Sequence, residues 1–156
     1  MSKELTYTMT RQRIELAAVS PRAVGLITEL EDALRREGLS DDRLRELARI
    51  RVAQLNGCAY FLAQRSAEAL RLGETQDRLN ELAGWRDSRR FTDSERAALA
   101  LTEMMTRLPA DGVPDDVYGA AENLLGPYNL ANLIMAVSVA NALDRMCLTA
   151  RISPPH

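Results

Sequence analysis

Apolar residues recur along this chain at three- and four-residue spacings, the period of a helix that buries one face. Val24, Ile27, Leu30 and Leu34 form the first such row. It follows Ser20-Pro21, an N-cap residue with proline at the first helical position, and ends at Gly38. Val19 and Val24 stand where a hydrophobic staple would close that helix start. The residues before it, 1–19, carry weak signals and read as an irregular lead-in. A second row, Leu44, Leu47, Ile50 and Leu55, begins behind Ser40 as cap, with Asp41 and Asp42 in the first turn, and runs to Asn56-Gly57. Ala59, Leu62, Ser66 and Leu70 continue as a third stripe up to Gly73.

Thr75 then predicts the cap of a short helix containing Leu79, Leu82 and Trp85. Thr92 and Glu95 have the spacing of a capping box for a fifth helix, with Ala97, Leu101, Met104 and Leu108 on one face until Pro109. Residues Asp115 to Leu125 predict a sixth, closed by Gly126-Pro127. The last segment, Asn129 to about Ile152, differs from the others. Between Leu130 and Leu143 eleven of fourteen residues are apolar, leaving Asn132, Ser138 and Asn141 as buried packing polars. A helix apolar nearly all round belongs inside a domain or in a subunit interface. No stretch shows sustained two-residue alternation, and no Asn-Gly turn joins β-branched runs. The expectation is therefore all-α: one compact single-domain bundle of six to seven helices over residues 1–156.

Composition narrows the function more than the fold. Twenty basic and 22 acidic residues give a net charge of −2, with no clustered positive charge of the kind nucleic acid requires. No apolar run of bilayer-spanning length is expected, and MSKELTYTMT lacks the apolar core of a signal peptide, which points to the cytoplasm and to reduced thiols. The single histidine, His156, stands behind Pro154 and Pro155 at the end of the sequence. Histidine-based triads and histidine-ligated metals are thereby excluded, and neither a metal nor a cofactor is expected. Cys58 stands where a helix begins. Unpaired N–H groups and a partial positive charge at that end stabilise a thiolate.

Around this cysteine the order of parts is Glu46, then NGCAY at 56–60, Phe61 and Arg65. GETQDRLNELAGWRDSRRFTDSERAALALTE follows at 73–103. From about Ile14 to Ile152 the chain resembles the alkylhydroperoxidase D-like branch of the carboxymuconolactone decarboxylase family. The resemblance implies an all-helical fold, homo-oligomers such as trimers or hexamers, and reduction of organic hydroperoxides through a Cys-x-x-Cys pair recharged by a dithiol. It also implies a proton relay from a glutamate on the preceding helix and a histidine four residues after the second cysteine. On this sequence Glu46 matches the relay glutamate and Cys58 the first cysteine, with Tyr60 inside the motif. Phe61 stands where the second cysteine falls, and Arg65 where the histidine falls.

Two of four chemical positions are thus changed. Arginine is not a base at ordinary pH, and without a thiol at Phe61 a sulfenic acid on Cys58 has only Cys147 or an external thiol to resolve it. Expected catalytic residues are Cys58 and Glu46, with Tyr60, Phe61 and Arg65 lining the pocket. The plainer alternatives are a buried, inert Cys58, a structural Glu46–Arg65 pair, Phe61 as a hydrophobic plug and Cys147 as core. The functional expectation is a degenerate relative with weak or no peroxidase activity and a binding or interaction role. A single-cysteine peroxidase using Cys58 is the alternative. Decarboxylation, which needs acid–base groups that are scarce here, ranks last.

Overall fold

A computed structural model describes residues 11–154. The lead-in before residue 11 and His156 lie outside the described residues. The described residues form seven α-helices and one 3-10 turn: α1 Leu16–Val19, α2 Pro21–Glu37, α3 Asp42–Asn56, α4 Ala59–Arg71, α5 Gln76–Glu81 with a 3-10 turn at Leu82–Gly84, α6 Asp93–Thr106 and α7 Asp115–Ala150. Among the described residues there is no strand, so the all-α expectation holds.

The centre of the molecule is α3. From Leu44 to Ile50 every residue is buried, and so are Val52 and Ala53. Its two sides serve two clusters. Leu44, Ala48 and Val52 pack with Ala98 and Leu101 of α6 and Leu133 and Val137 of α7. Leu47 and Ile50 pack with Leu79, Leu82, Trp85, Phe91 and Leu99. Each fully buried leucine or isoleucine contributes roughly 1.5–3 kcal/mol. A helix with apolar residues on both sides is therefore driven to the middle.

The helix boundaries differ from the predicted ones in informative ways. The cap of α3 is Asp41, not Ser40: its side chain accepts from the N–H groups of Arg43 (2.9 Å) and Leu44 (3.2 Å). Ser40 is diverted, its N–H donating to Asn129 Oδ1 at 2.9 Å. Ser20 precedes α2 as predicted but makes no side-chain cap bond. Part of the lead-in, Leu16–Val19, forms one helical turn. The capping box of α6 is present, with Thr92 Oγ1 accepting from Glu95 N and Glu95 Oε2 from Thr92 N.

The sixth and seventh predicted helices are continuous in trace but not in conformation. Gly126, with φ 74° and ψ 167°, breaks α7 just before Pro127. The predicted boundary is there; the chain bends across it instead of forming a loop. Beyond the bend, α7 is not buried all round. Ser138 is exposed, Asn132 is half-buried and Met135 is exposed, while Leu133, Val137, Ala140 and Asn141 face inward. By length and composition alone α7 is long and apolar enough to cross a membrane, where no run of that length was expected. Fifty-six per cent of its most apolar stretch is nevertheless buried inside the molecule.

The backbone of Gly126 lies in a region open essentially to glycine alone, so Gly126→Ala should lower stability by about 1–3 kcal/mol. Gly25 lies in the second turn of α2, where an added Cβ would meet nothing within 4 Å, and Gly25→Ala should raise stability by roughly 0.5–1 kcal/mol. Urea midpoints of the two variants, moving in opposite directions, check this.

Candidate active site

The site begins where α3 stops. Gly57 takes the left-handed conformation (φ 68°), which lets its own N–H and that of Cys58 return to the carbonyls of Gln54 (3.3 Å) and Ala53 (3.0 Å). Cys58 is consequently the first residue of the next turn, the N-cap of α4, with extended φ/ψ. It is 1% exposed. The predicted placement of a thiol at a helix start is observed, and the thiol is buried.

Arg65 is the largest fully buried side chain. The guanidinium lies over the Phe61 ring at 4.5 Å. Phe61 meets Tyr60 edge-on at 5.0 Å, and both aromatics are half-buried. Arg65 does not pair with Glu46. Its Nη2 sits 2.8 Å from Asp144 Oδ1 on α7, and its Nη1 donates to the carbonyl of Arg49 at 2.9 Å. Burial lowers the arginine's affinity for its proton, and Asp144 opposes that shift.

Glu46 is held elsewhere. Arg49 Nη1 donates to both its oxygens, at 2.7 and 2.9 Å, and Arg45 Nε donates to Oε1 at 3.2 Å. Arg49 in turn reaches Glu31 on α2, and Arg45 reaches Asp42 at 2.6 Å. Burial pushes the Glu46 carboxyl up, against the pull of Arg45 and Arg65. Burial, with the nearby charge of Arg65, brings Arg49 down to about 9. The expected Glu46–Arg65 pair is thus replaced by two separate pairings, because α3 supplies its own arginines, Arg45 beside Glu46 and Arg49 one turn on, and α7 supplies Asp144.

A cavity of about 100 Å³ lies on the α2–α3–α4 side of this network, lined by Arg35, Arg49, Arg65 and Arg71 with Glu31 and Glu68. Of the residues expected to line a pocket, Arg65 borders this cavity and Tyr60 borders a second one of about 300 Å³ with Ala63, Gln64 and Pro154. Phe61 borders neither and instead covers the Arg65 guanidinium.

Sequence reasoning missed two members, Asn56 and Asp144, and left the place of a third, Cys147, open. Asn56 Nδ2 bridges Asn141 Oδ1 (3.0 Å) and Asp144 Oδ2 (3.1 Å), tying the end of α3 to α7. Asp144 is the acidic residue immediately after the apolar stretch of α7, a position where burial demands a cation. Cys147 follows one turn beyond Asp144 on α7. Burial first, and then the neighbouring Cys58, push its thiol up to about 12. Both cysteines are free and buried. Among the described residues no group of three or more His, Cys, Asp or Glu side chains has metal-binding geometry.

This arrangement of a central helix, a thiol at the following helix start and a glutamate inside the preceding helix is that of a family fold. The carboxymuconolactone decarboxylase family model matches residues 21–104, over half of the chain, and the protein belongs to that family. Within it the chain is alkylhydroperoxidase D-like. It is 25% identical to, and superposes with a TM-score of 0.88 on, an Agrobacterium tumefaciens protein of unknown function described as a putative antioxidant defence protein AhpD. That match covers 94% of this chain and 99% of the other. A peroxidase-related protein from Silicibacter sp. TM1040 shares the fold at 16% identity and a TM-score of 0.78, over 88% of this chain and 73% of its own. The protein YdfG of Bacillus subtilis, itself uncharacterised, is 27% identical over 137 residues, 88% of this chain and 92% of that one.

Removing either partner of a buried pair leaves an uncompensated charge at a cost of about 3–5 kcal/mol. Arg65→Ala and Asp144→Ala should each lose stability on that scale, while Arg65→Met combined with Asp144→Leu should recover most of it, as read from denaturant midpoints. The raised Cys147 thiol gives a second expectation. The unfolded chain releases this proton near 9 and the folded chain near 12, so the folded state binds more protons between them. The stabilising contribution is complete below about pH 9 and is lost as pH rises toward 12. The stability difference between the protein and Cys147→Ser, followed over that window, should show this fall.

Proposed function

We propose that this protein is a redox-attenuated member of its family, which reduces organic hydroperoxides slowly through Cys58 and lacks the proton relay of a fast peroxidase. The observation that carries this is where the two relay positions are engaged. Glu46 accepts from Arg45 and Arg49, and Arg65 is paired with Asp144. Neither is a free proton acceptor beside the thiol. A positioned base contributes typically 10²–10⁴-fold, so turnover should fall short of a relay-equipped peroxidase by about that factor.

What remains at Cys58 favours some chemistry. Cys58 lies at the start of α4, on the same helix as the buried Arg65. A dithiol is the reductant and an organic hydroperoxide the oxidant in this reading. Self-assembly belongs to it as well. Helix α2 has no fully buried residue, and Leu26 and Leu30 on it stay exposed, as do Tyr128 and Met135 on α7. Apolar side chains left outside on two helices support an interface between copies.

The test is dithiol-dependent consumption of tert-butyl hydroperoxide by the protein and by Cys58→Ser. A slow, Cys58-dependent rate is expected. Restoring the missing parts with Phe61→Cys, Arg65→His and, to avoid an orphaned carboxylate, Asp144→Asn should raise that rate by about 10²-fold. A fast rate in the unaltered protein would overturn the attenuated reading, and a rate unaffected by Cys58→Ser would remove the thiol from the function.

A further inference from the structure

The family's pattern draws both sulfurs from one helix turn; here the second thiol at Cys58 comes from the far end of the chain. Its placement follows from hydrogen bonds made by neighbouring residues. Asn56, two residues before Cys58, donates to Asn141 and Asp144 of α7. Arg65, seven residues after Cys58 on α4, pairs with the same Asp144. Cys147 is one helical turn beyond Asp144 and, like Asp144, is buried (3% exposed). The start of α4 is therefore held to the last turns of α7 through Asp144, with Cys58 on the first of these elements and Cys147 on the second. Burial, and after it the neighbouring Cys58, is also why Cys147 holds its proton so tightly.

We propose that Cys58 and Cys147 form a reversible disulfide, with Cys147 acting as the resolving thiol that position 61 no longer supplies. The hydroperoxide step rests on the functional reading above; the pairing of the two sulfurs does not. The Cys58 thiolate attacks the terminal oxygen of a hydroperoxide, the O–O bond breaks, and the alcohol leaves with a proton. Cys58 is then a sulfenic acid. The Cys147 sulfur attacks Cys58, its proton leaves with the departing hydroxyl as water, and the S–S bond forms. Two electrons have passed from two thiols to one peroxide, and a dithiol returns them by exchange.

This division of labour suits the geometry. Cys147 stays protonated until Cys58 is oxidised, so Cys58 is the sulfur that meets the oxidant. Cys147 has one other contact of note: its Sγ lies 3.5 Å from the carbonyl of Ile152, to which it donates, in the segment that follows α7. Pro154 of that segment shares a hollow with Tyr60, Ala63 and Gln64 on the first turns of α4.

The experiment oxidises the whole protein with one equivalent of cumene hydroperoxide and, in a parallel arm, with the thiol oxidant diamide. Each arm is followed by non-reducing peptide mapping. The expected product in both is a Cys58 peptide linked to a Cys147 peptide within one chain, with a thermal midpoint above that of the reduced protein and returned by dithiothreitol. Cys147→Ser and Cys147→Ala should instead leave a dimedone-reactive sulfenic acid on Cys58 after hydroperoxide. A link formed with diamide but not with hydroperoxide upholds the pairing and overturns the hydroperoxide reading. Separate capping of the two cysteines in both arms, or a link only between chains, overturns the pairing.

Discussion

A guanidinium buried to 1% exposure has to be neutralised, and the rest of this site is arranged around that requirement. Arg65 meets Asp144 across the α4–α7 boundary, donates to the carbonyls of Arg49 and Ala140, and is covered by the Phe61 ring. Each contact belongs to a different part of the fold. Asp144 must lie on the inner side of α7, the carbonyl of Arg49 must be free at the side of α3, and Phe61 must turn back over its own helix. The pair thereby fixes the register of α7 against α3 and α4. Asn56 uses the other oxygen of Asp144, so one carboxylate holds both the residue before Cys58 and the arginine after it.

The fold was largely legible because its signals are local. The capping box at Thr92 and Glu95, the threonine cap at Thr75 and the stop at Gly57 depend on residues within one turn, and all three are observed. Ser40 and Asp41 show the limit of local reading. Both are good caps, and the choice was settled by Asn129, distant in sequence, which takes the Ser40 N–H. The same limit governs α7. Its apolar composition was evident, but which face stays outside depends on where α3 and α6 lie.

The site was legible in its members and not in its pairings. Cys58, Glu46 and Arg65 are where their helical positions put them, and charge alone left either carboxylate as a partner for Arg65. Glu46 was taken by Arg45 and Arg49, whose spacing on α3 is visible in the sequence. Asp144 was the stronger signal overlooked, an acid immediately following a nearly uninterrupted apolar run. Cys147 could not be placed beside Cys58 by any pattern, since their meeting depends on the bend at Gly126 and on the packing of α7 along α3.

The Phe61–Arg65 contact bears on the substitutions open to this chain. With Phe61 replaced by cysteine alone, the guanidinium would lose its aromatic cover while still buried. With Arg65 replaced by histidine alone, Asp144 would be left facing a weaker and titratable partner. Each single change toward a Cys-x-x-Cys and histidine arrangement crosses a less stable intermediate, and only a concerted change of Phe61, Arg65 and Asp144 avoids it. The three residues thus behave as one coupled unit, whose members can be exchanged together but not one at a time.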